Sequence, residues 1–223
     1  MCFTETQSYL NTIILILGAL YKMKYWRLAL PLFFLSLKDL LQGLLYKYNE
    51  NFKINRLLTS LSWIHICFQP LFVNMFISYF APSNKIYFSI IFIICIIYGF
   101  YRITDLNEFD IQNDDDCIDK SKTNDFCADE TQSYLGKYHI VYNFSKDIAP
   151  ITDVLYIILM FLPCLFTKAK YIGILWFIFV LLIRFFGGYI FKLRNGEVAS
   201  MWCFLSIVFV LPLAIFSKYF KKM

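Results

Sequence analysis

Long uninterrupted apolar runs constrain this chain more than any other feature. They fall near residues 5–21, 28–46, 57–81, 86–103, 150–167, 171–191 and 197–217. As helices, each is long enough to cross or nearly cross a hydrocarbon core of about 30 Å. Runs this long and uniformly apolar do not fit the alternating strands, about 10 residues each, of an outer-membrane barrel. The expected fold is all-α, a polytopic membrane protein with seven transmembrane helices in a single membrane domain over residues 1–223. A hydrophobic content of 59% with 17% charged residues agrees, being too apolar for an ordinary soluble domain.

Basic residues set the expected orientation. Lys22, Lys24, Arg27, Lys85, Lys168, Lys170, Lys218, Lys221 and Lys222 would share one side of such a bundle, and the positive-inside rule makes that side cytoplasmic. The N-terminus is then outside or lumenal and the C-terminus cytoplasmic. The first residues carry Glu5 and no basic n-region, which argues against a cleaved secretory signal. The net charge of +5 is scattered over loop ends, so it describes topology and excludes a nucleic-acid surface. The lipid bilayer is the expected partner.

One segment breaks the apolar pattern. Residues 104–149 hold Asp105, Glu108, Asp110, Asp114, Asp115, Asp116, Asp119, Asp125, Asp129 and Glu130, and form an acidic outer loop longer than an ordinary connection. Cys117 and Cys127 lie in it and are the expected disulfide of an oxidising compartment. Cys67, Cys95, Cys164 and Cys203 fall inside apolar runs and read as buried thiols. Asn143-Phe144-Ser145 is a glycosylation sequon on the same side.

A short repeat links the two halves. Cys2 to Leu10 recurs as Cys127 to Leu135, the two copies sharing Glu-Thr-Gln-Ser-Tyr-Leu. Thr4 or Asp129 as N-cap, with Gln7 or Gln132 three positions later, fits a capping box, so both copies are expected to start helices. Lys22-Met23-Lys24-Tyr25 is echoed by Lys168-Ala169-Lys170-Tyr171, and Trp63 by Trp202. Helices 1–3 and 5–7 could thus form a 3+1+3 parallel repeat of the kind some transporters use.

Ionisable residues inside membrane helices are costly and point to a site. Asp39, Gln42, His65 and Gln69 fall at a common depth, roughly 12–18 Å below the outer surface at 1.5 Å per residue, with Arg184, Trp202 and Cys203 near the same band. Asp39 and Gln42 share a helix face, as do His65 and Gln69, and Pro70 would free a carbonyl beside them. Plainer readings run alongside. Lys38 could snorkel outward while Asp39 pairs with Arg184, His65 could be an interior histidine bonded to a carbonyl, and Glu197 could serve a helix N-terminus.

A hydrolytic zinc site would draw on Asp39, His65 and His139, with Cys2 or Glu197 at the outer mouth. No His-x-x-x-His or Cys-x-x-Cys pair supports it, so no cofactor is expected. No phosphate-binding glycine loop or nucleophile elbow occurs either.

The Met1-Cys2-Phe3-Thr4 start, the segment from His65 to Asn74 with its His-x-x-x-Gln-Pro, Gly136-Lys137-Tyr138-His139-Ile140, and Glu197 to Cys203 with its Trp-Cys together resemble a family of multi-pass membrane proteins of unknown function found in bacteria and large DNA viruses. The resemblance spans most of the chain and implies no activity. The family usually has Ser where Thr4 stands, which keeps a hydroxyl there. It directs attention to Cys2, which would become an N-terminal aminothiol if Met1 were removed.

The sequence therefore favours a protein that binds or transports a small polar solute or ion through an outward-facing polar cavity lined by Asp39, Gln42, His65 and Gln69. The alternatives are a membrane-embedded metallohydrolase and a receptor or viral envelope protein acting through residues 104–149.

Overall fold

The computed structural model describes residues 4–81, 85–104, 131–136, 140–143, 150–166, 170, 174, 177–178 and 210–218. Helix α1 spans Glu5–Tyr21, α2 Trp26–Lys47, α3 Phe52–Ser78 and α4 Lys85–Ile103. A hairpin of β1 (Gln132–Leu135) and β2 (Ile140–Asn143) follows, then α5 (Pro150–Phe161), which tightens into a 3-10 turn over Leu162–Phe166. Residues 210–215 are again helical.

Local chemistry accounts for these limits. Thr4 caps α1 by accepting the Gln7 N–H at 3.2 Å, and Asn51 caps α3 by accepting the Ile54 N–H at 3.1 Å, each meeting an N–H that the first helical turn leaves unbonded. The turn from Lys22 to Tyr25 reverses the chain, and its Lys22 N–H closes α1 on the Gly18 and Ala19 carbonyls. Pro31 and Pro70 lie inside α2 and α3.

Pro163 explains why α5 changes pitch. It has no N–H to return to the Leu159 carbonyl one turn back. Asn74 of α3 supplies the missing donor through Nδ2 at 2.8 Å, and the same amide reaches the Pro70 carbonyl at 2.8 Å.

Three helices, α2, α3 and α4, are long and apolar enough to cross a membrane. With 22, 27 and 19 residues, they reach about 33, 40 and 28 Å at 1.5 Å per residue. Helix α1, with 17 residues, and the apolar stretch Val154–Leu165 are shorter. The expectation of seven spanning helices is corrected accordingly: the first five apolar blocks are helical, three of them are of spanning length, and nearly all of 171–191 and most of 197–217 lie outside the described residues. The structure does not assign the two ends to outside and cytoplasm; one end carries the hairpin and the other Lys22 with residues 215–217.

Successive helices are antiparallel. Tyr9 meets Gly43 and Thr12 meets Ser36 across α1 and α2, while Trp63 meets Arg102 and Asn74 meets Cys95 across α3 and α4. At the latter junction Trp63 Nε1 donates to the Arg102 carbonyl at 3.1 Å. That carbonyl lies in the last turn of α4, where helical donors run out. The Arg102 guanidinium in turn sits 4.8 Å from the Trp63 ring, a cation–π contact.

Besides a small cluster of Ile91, Cys95 and Tyr98 of α4 with Leu159 of α5, two apolar cores result. The larger joins Leu15 and Ala19 of α1, Leu28, Leu32 and Leu35 of α2, Val73, Phe76 and Ile77 of α3, Phe88 of α4, Met160 and Phe161 of α5, and Val210 and Ala214. The smaller joins Leu45 and Leu58 to Ile140 and Tyr142 of the hairpin. At the end away from the hairpin, the buried Lys22 ammonium donates to the Ile215 carbonyl at 3.1 Å and the Ser217 hydroxyl at 3.4 Å. Burial pushes its pKa below the ordinary 10.5, and the Lys218 charge acts in the same direction.

The repeated hexapeptide does not repeat structurally. In the first copy Glu5 to Leu10 opens α1, whereas in the second Gln132 to Leu135 is strand β1. The expected second capping box is thus overturned from Gln132 onward, and the two copies do not mark equivalent halves of a 3+1+3 repeat. Cys2, Cys117, Cys127, Asp129 and Glu130 lie outside the described residues, so the expected disulfide does too. Among the described residues Cys67, Cys95 and Cys164 are buried.

Candidate functional site

Between the two apolar cores lies a polar layer contributed by three helices. Ser8, Asn11 and Thr12 of α1, Ser36, Lys38, Asp39 and Gln42 of α2, and Ser62 and His65 of α3 are all buried, Ser8, Gln42 and Ser62 completely. Spacings of three and four bring each set onto few helix faces. The antiparallel arrangement then matches the levels. Thr12 Oγ1 is 3.5 Å from the Ser36 carbonyl, and His65 reaches across to Phe34 of α2, one turn before Lys38.

His65 is held rigidly. Its Nε2 lies 2.7 Å from the Phe34 carbonyl, which can only accept, so Nε2 carries the proton. The imidazole stacks on the Phe34 ring at 3.8 Å and 13°, and Phe34 stacks on Phe72 with the same separation and angle. The Nδ1 atom is buried without a hydrogen-bond partner, as are Nε2 and Oε1 of Gln42 and Oγ of Ser62. Such groups cost about 1–3 kcal/mol each when their bonding capacity stays unmet in a closed interior.

The hairpin covers this layer. Lys38 is buried, and its ammonium sits 4.0 Å from the centre of the Tyr142 ring. Asn55 clasps β1 with a side-chain amide that imitates a neighbouring strand: its Nδ2 donates to the Ser133 carbonyl at 2.8 Å and its Oδ1 accepts the Ser133 N–H at 2.9 Å. One helical turn on, the Thr59 hydroxyl lies 2.8 Å from that of Ser133. Ser133 pairs with Tyr142 in the antiparallel register, so the clasp on β1 also fixes the residue that rests on Lys38.

Of the sequence candidates, Asp39, Gln42 and His65 share this layer, whereas Gln69 does not. Its Oε1 accepts the Tyr156 hydroxyl of α5 at 2.7 Å, and it borders an apolar recess formed with Pro31, Phe34, Leu35, Phe72, Val73, Phe76 and Val210. The hairpin lies over the Lys38 end of the polar layer through Tyr142. Arg184, Trp202, Cys203, His139, Glu197 and Cys2 lie outside the described residues. The zinc candidates Asp39 and His65 therefore lack a described third ligand, and among the described residues no group of three His, Cys, Asp or Glu converges.

Asn55, Thr59, Ser62, Ser133 and Tyr142 were not singled out from the sequence. A signal existed for the first three. With His65, they recur at spacings of four, three and three along α3, a continuous polar stripe. The second copy's helix-like capping pattern concealed Ser133.

A bundle with three helices long and apolar enough to cross a membrane, a buried polar layer and a hairpin cover is compatible, by length and composition, with a helical membrane protein. The family described as a family of unknown function, DUF5765, matches residues 12–223, and the chain belongs to that family. No curated protein and no solved structure matches the chain.

Proposed function

We propose that this protein binds and passes a small polar solute or ion through the bilayer, using the layer formed by Asp39, Gln42, Ser62 and His65. The observation that carries this reading is the set of buried polar atoms on facing helices, at Gln42, Ser62 and His65, whose hydrogen-bonding capacity is unmet. Polar groups placed at membrane depth are expensive and are characteristic of solute pathways. The hairpin then acts as the cover on the outer side, and entry from that side requires Ser133 to leave Asn55 and Tyr142 to leave Lys38.

The test is flux through vesicles reconstituted with the purified chain, measured for a panel of glycerol, urea, sodium, potassium, chloride and acetate. At least one of these is expected to cross faster than in empty vesicles, and to slow about tenfold in Asp39→Asn or His65→Ala protein that melts like the parent, as loss of a binding interaction of about 1.4 kcal/mol would require. If none crosses faster, the reading is wrong.

A further inference from the structure

The two ends of the bundle differ in charge. At the end away from the hairpin, the turn from α1 to α2 carries Lys22, Lys24 and Arg27. The rings of Tyr25 and Tyr79, edge-on at 5.7 Å, join that turn to the end of α3. Helix α4 starts at this end with Lys85, because it runs antiparallel to α3, and Lys218 follows Ser217, which Lys22 touches. No Asp or Glu occurs in residues 11–38, 70–104 or 198–223. The hairpin end is mixed by contrast: Lys47, Glu50 and Lys53 are all exposed there, and the acidic stretch 105–130 joins the described bundle at that end through Thr104 and Thr131.

Lys22 itself is engaged with the Ile215 carbonyl and the Ser217 hydroxyl. The charges that can meet a ligand are therefore Lys24, Lys85 and Lys218, all exposed, and the half-buried Arg27. Apolar side chains are interleaved with them. Tyr21, Met23, Trp26 and Ile86 are each more than half exposed, and the Arg27 guanidinium lies 5.4 Å from the centre of the Trp26 ring. Apolar surface of this kind is disfavoured against water. Basic groups beside exposed Trp and Tyr fit the headgroup layer of a bilayer, where the rings meet the upper acyl chains and the cations meet phosphate. Helices α2, α3 and α4 are long and apolar enough to reach from one headgroup layer to the other, and a bundle that spans in this way holds its Lys24 end at that level.

We infer that this end of the bundle is a binding surface for anionic phospholipid headgroups, with Lys24, Arg27, Lys85 and Lys218 supplying the charge and Trp26 the apolar contact. The planar fork of Arg27 suits two oxygens of one phosphate, and the indole beside it covers the carbons that follow the headgroup. The surface stands on charge and exposure at one end of the bundle and does not depend on a solute crossing the polar layer.

The detergent-purified full chain tests it, titrated with phosphatidylglycerol or phosphatidylcholine while bound lipid is counted by native mass spectrometry. Phosphatidylglycerol is expected to bind about tenfold more tightly or better. Each basic residue near an anionic surface is worth a factor of about five, so Lys24→Gln combined with Arg27→Gln should weaken phosphatidylglycerol roughly 25-fold and leave phosphatidylcholine unchanged. Lys85→Gln with Lys218→Gln, on other elements, carries the test if the first pair does not fold. The hairpin-end pair Lys47→Gln with Lys53→Gln should keep the preference. Glycerol phosphate, which has the headgroup charge without acyl chains, should not displace the lipid at equal concentration. Equal binding of the two lipids overturns the inference. So does a preference that survives in a folded pair from this end, or one that falls as far in the hairpin-end pair. Displacement by glycerol phosphate assigns the surface to a free phosphate compound and overturns it as well.

Discussion

Glu5 to Leu10 and Glu130 to Leu135 are the same six residues, yet the first begins a helix and the described part of the second forms a strand. The difference teaches what local sequence decides and what it leaves to its surroundings. After the first copy come Asn11, Thr12 and a run of apolar residues that continue the helical period into the larger core. After the second comes Gly136, a poor helix former, and then Ile140 and Val141, whose β-branched side chains favour a strand. The equivalent serines are both buried but bonded differently. Ser8 returns its hydroxyl to the Thr4 carbonyl within its own helix at 3.2 Å, whereas Ser133 gives its backbone to Asn55 and its hydroxyl to Thr59. The strand copy is therefore held by another element, and the helix copy by itself.

Removing that external support should produce the largest effect. Asn55→Ala leaves the buried N–H and C=O of Ser133 without their partner, a loss of roughly 2–4 kcal/mol in hairpin docking. Hydrogen exchange of the hairpin amides should accelerate by more than tenfold while the α1 amides keep their rates. Equal acceleration in both copies would show that the hairpin is not held separately.

The helix copy has its own point of contact, where Tyr9 lies against Gly43. A Cβ at Gly43 would approach Tyr9 Cε1 to 2.7 Å, so Gly43→Ala should cost about 1–3 kcal/mol through overpacking. Thermal melting reads this, and pairing it with Tyr9→Leu should recover part of the loss.

Next in size, Ser133→Ala should destabilise the fold by about 1 kcal/mol, since a buried side-chain bond between elements is lost. Ser8→Ala should cost a few tenths, because the hydroxyl bonded to its own helix adds little and Ala has the higher helix propensity. Denaturant titration of the two single variants measures the contrast. Equal effects would mean that the shared serine plays one role in both places. Thr4→Ala should cost about 0.5–1 kcal/mol as the cap is lost, seen as faster amide exchange confined to the first turn of α1.

Much of the helical plan was legible in the sequence because apolar length is a property of each run alone. The blocks at 5–21, 28–46 and 86–103 differ from α1, α2 and α4 by at most two residues at either end. Depth was legible for the same reason: Asp39, Gln42 and His65 could be placed at one level by counting residues along antiparallel helices. Direction around the helix axis was not. Gln69 shares a face with His65 by spacing, yet its amide turns to Tyr156 because α5 packs against that side of α3. The strand was concealed for a different reason, since a capping motif and a strand can be written with the same polar residues, and only the partner element decides. Neither the clasp by Asn55 nor the rescue of the Leu159 carbonyl by Asn74 can be read locally, because each joins residues 78 or more positions apart.

The tie from Lys22 to the Ile215 carbonyl spans 193 positions, which gives it a meaning in time as well as in space. A ribosome has made the amine long before it makes the acceptor. Throughout that interval Lys22 must stay hydrated, because a buried ammonium without a partner is strongly disfavoured. The end of the bundle away from the hairpin can close only when residues 215–217 arrive, so this bond forms late in synthesis.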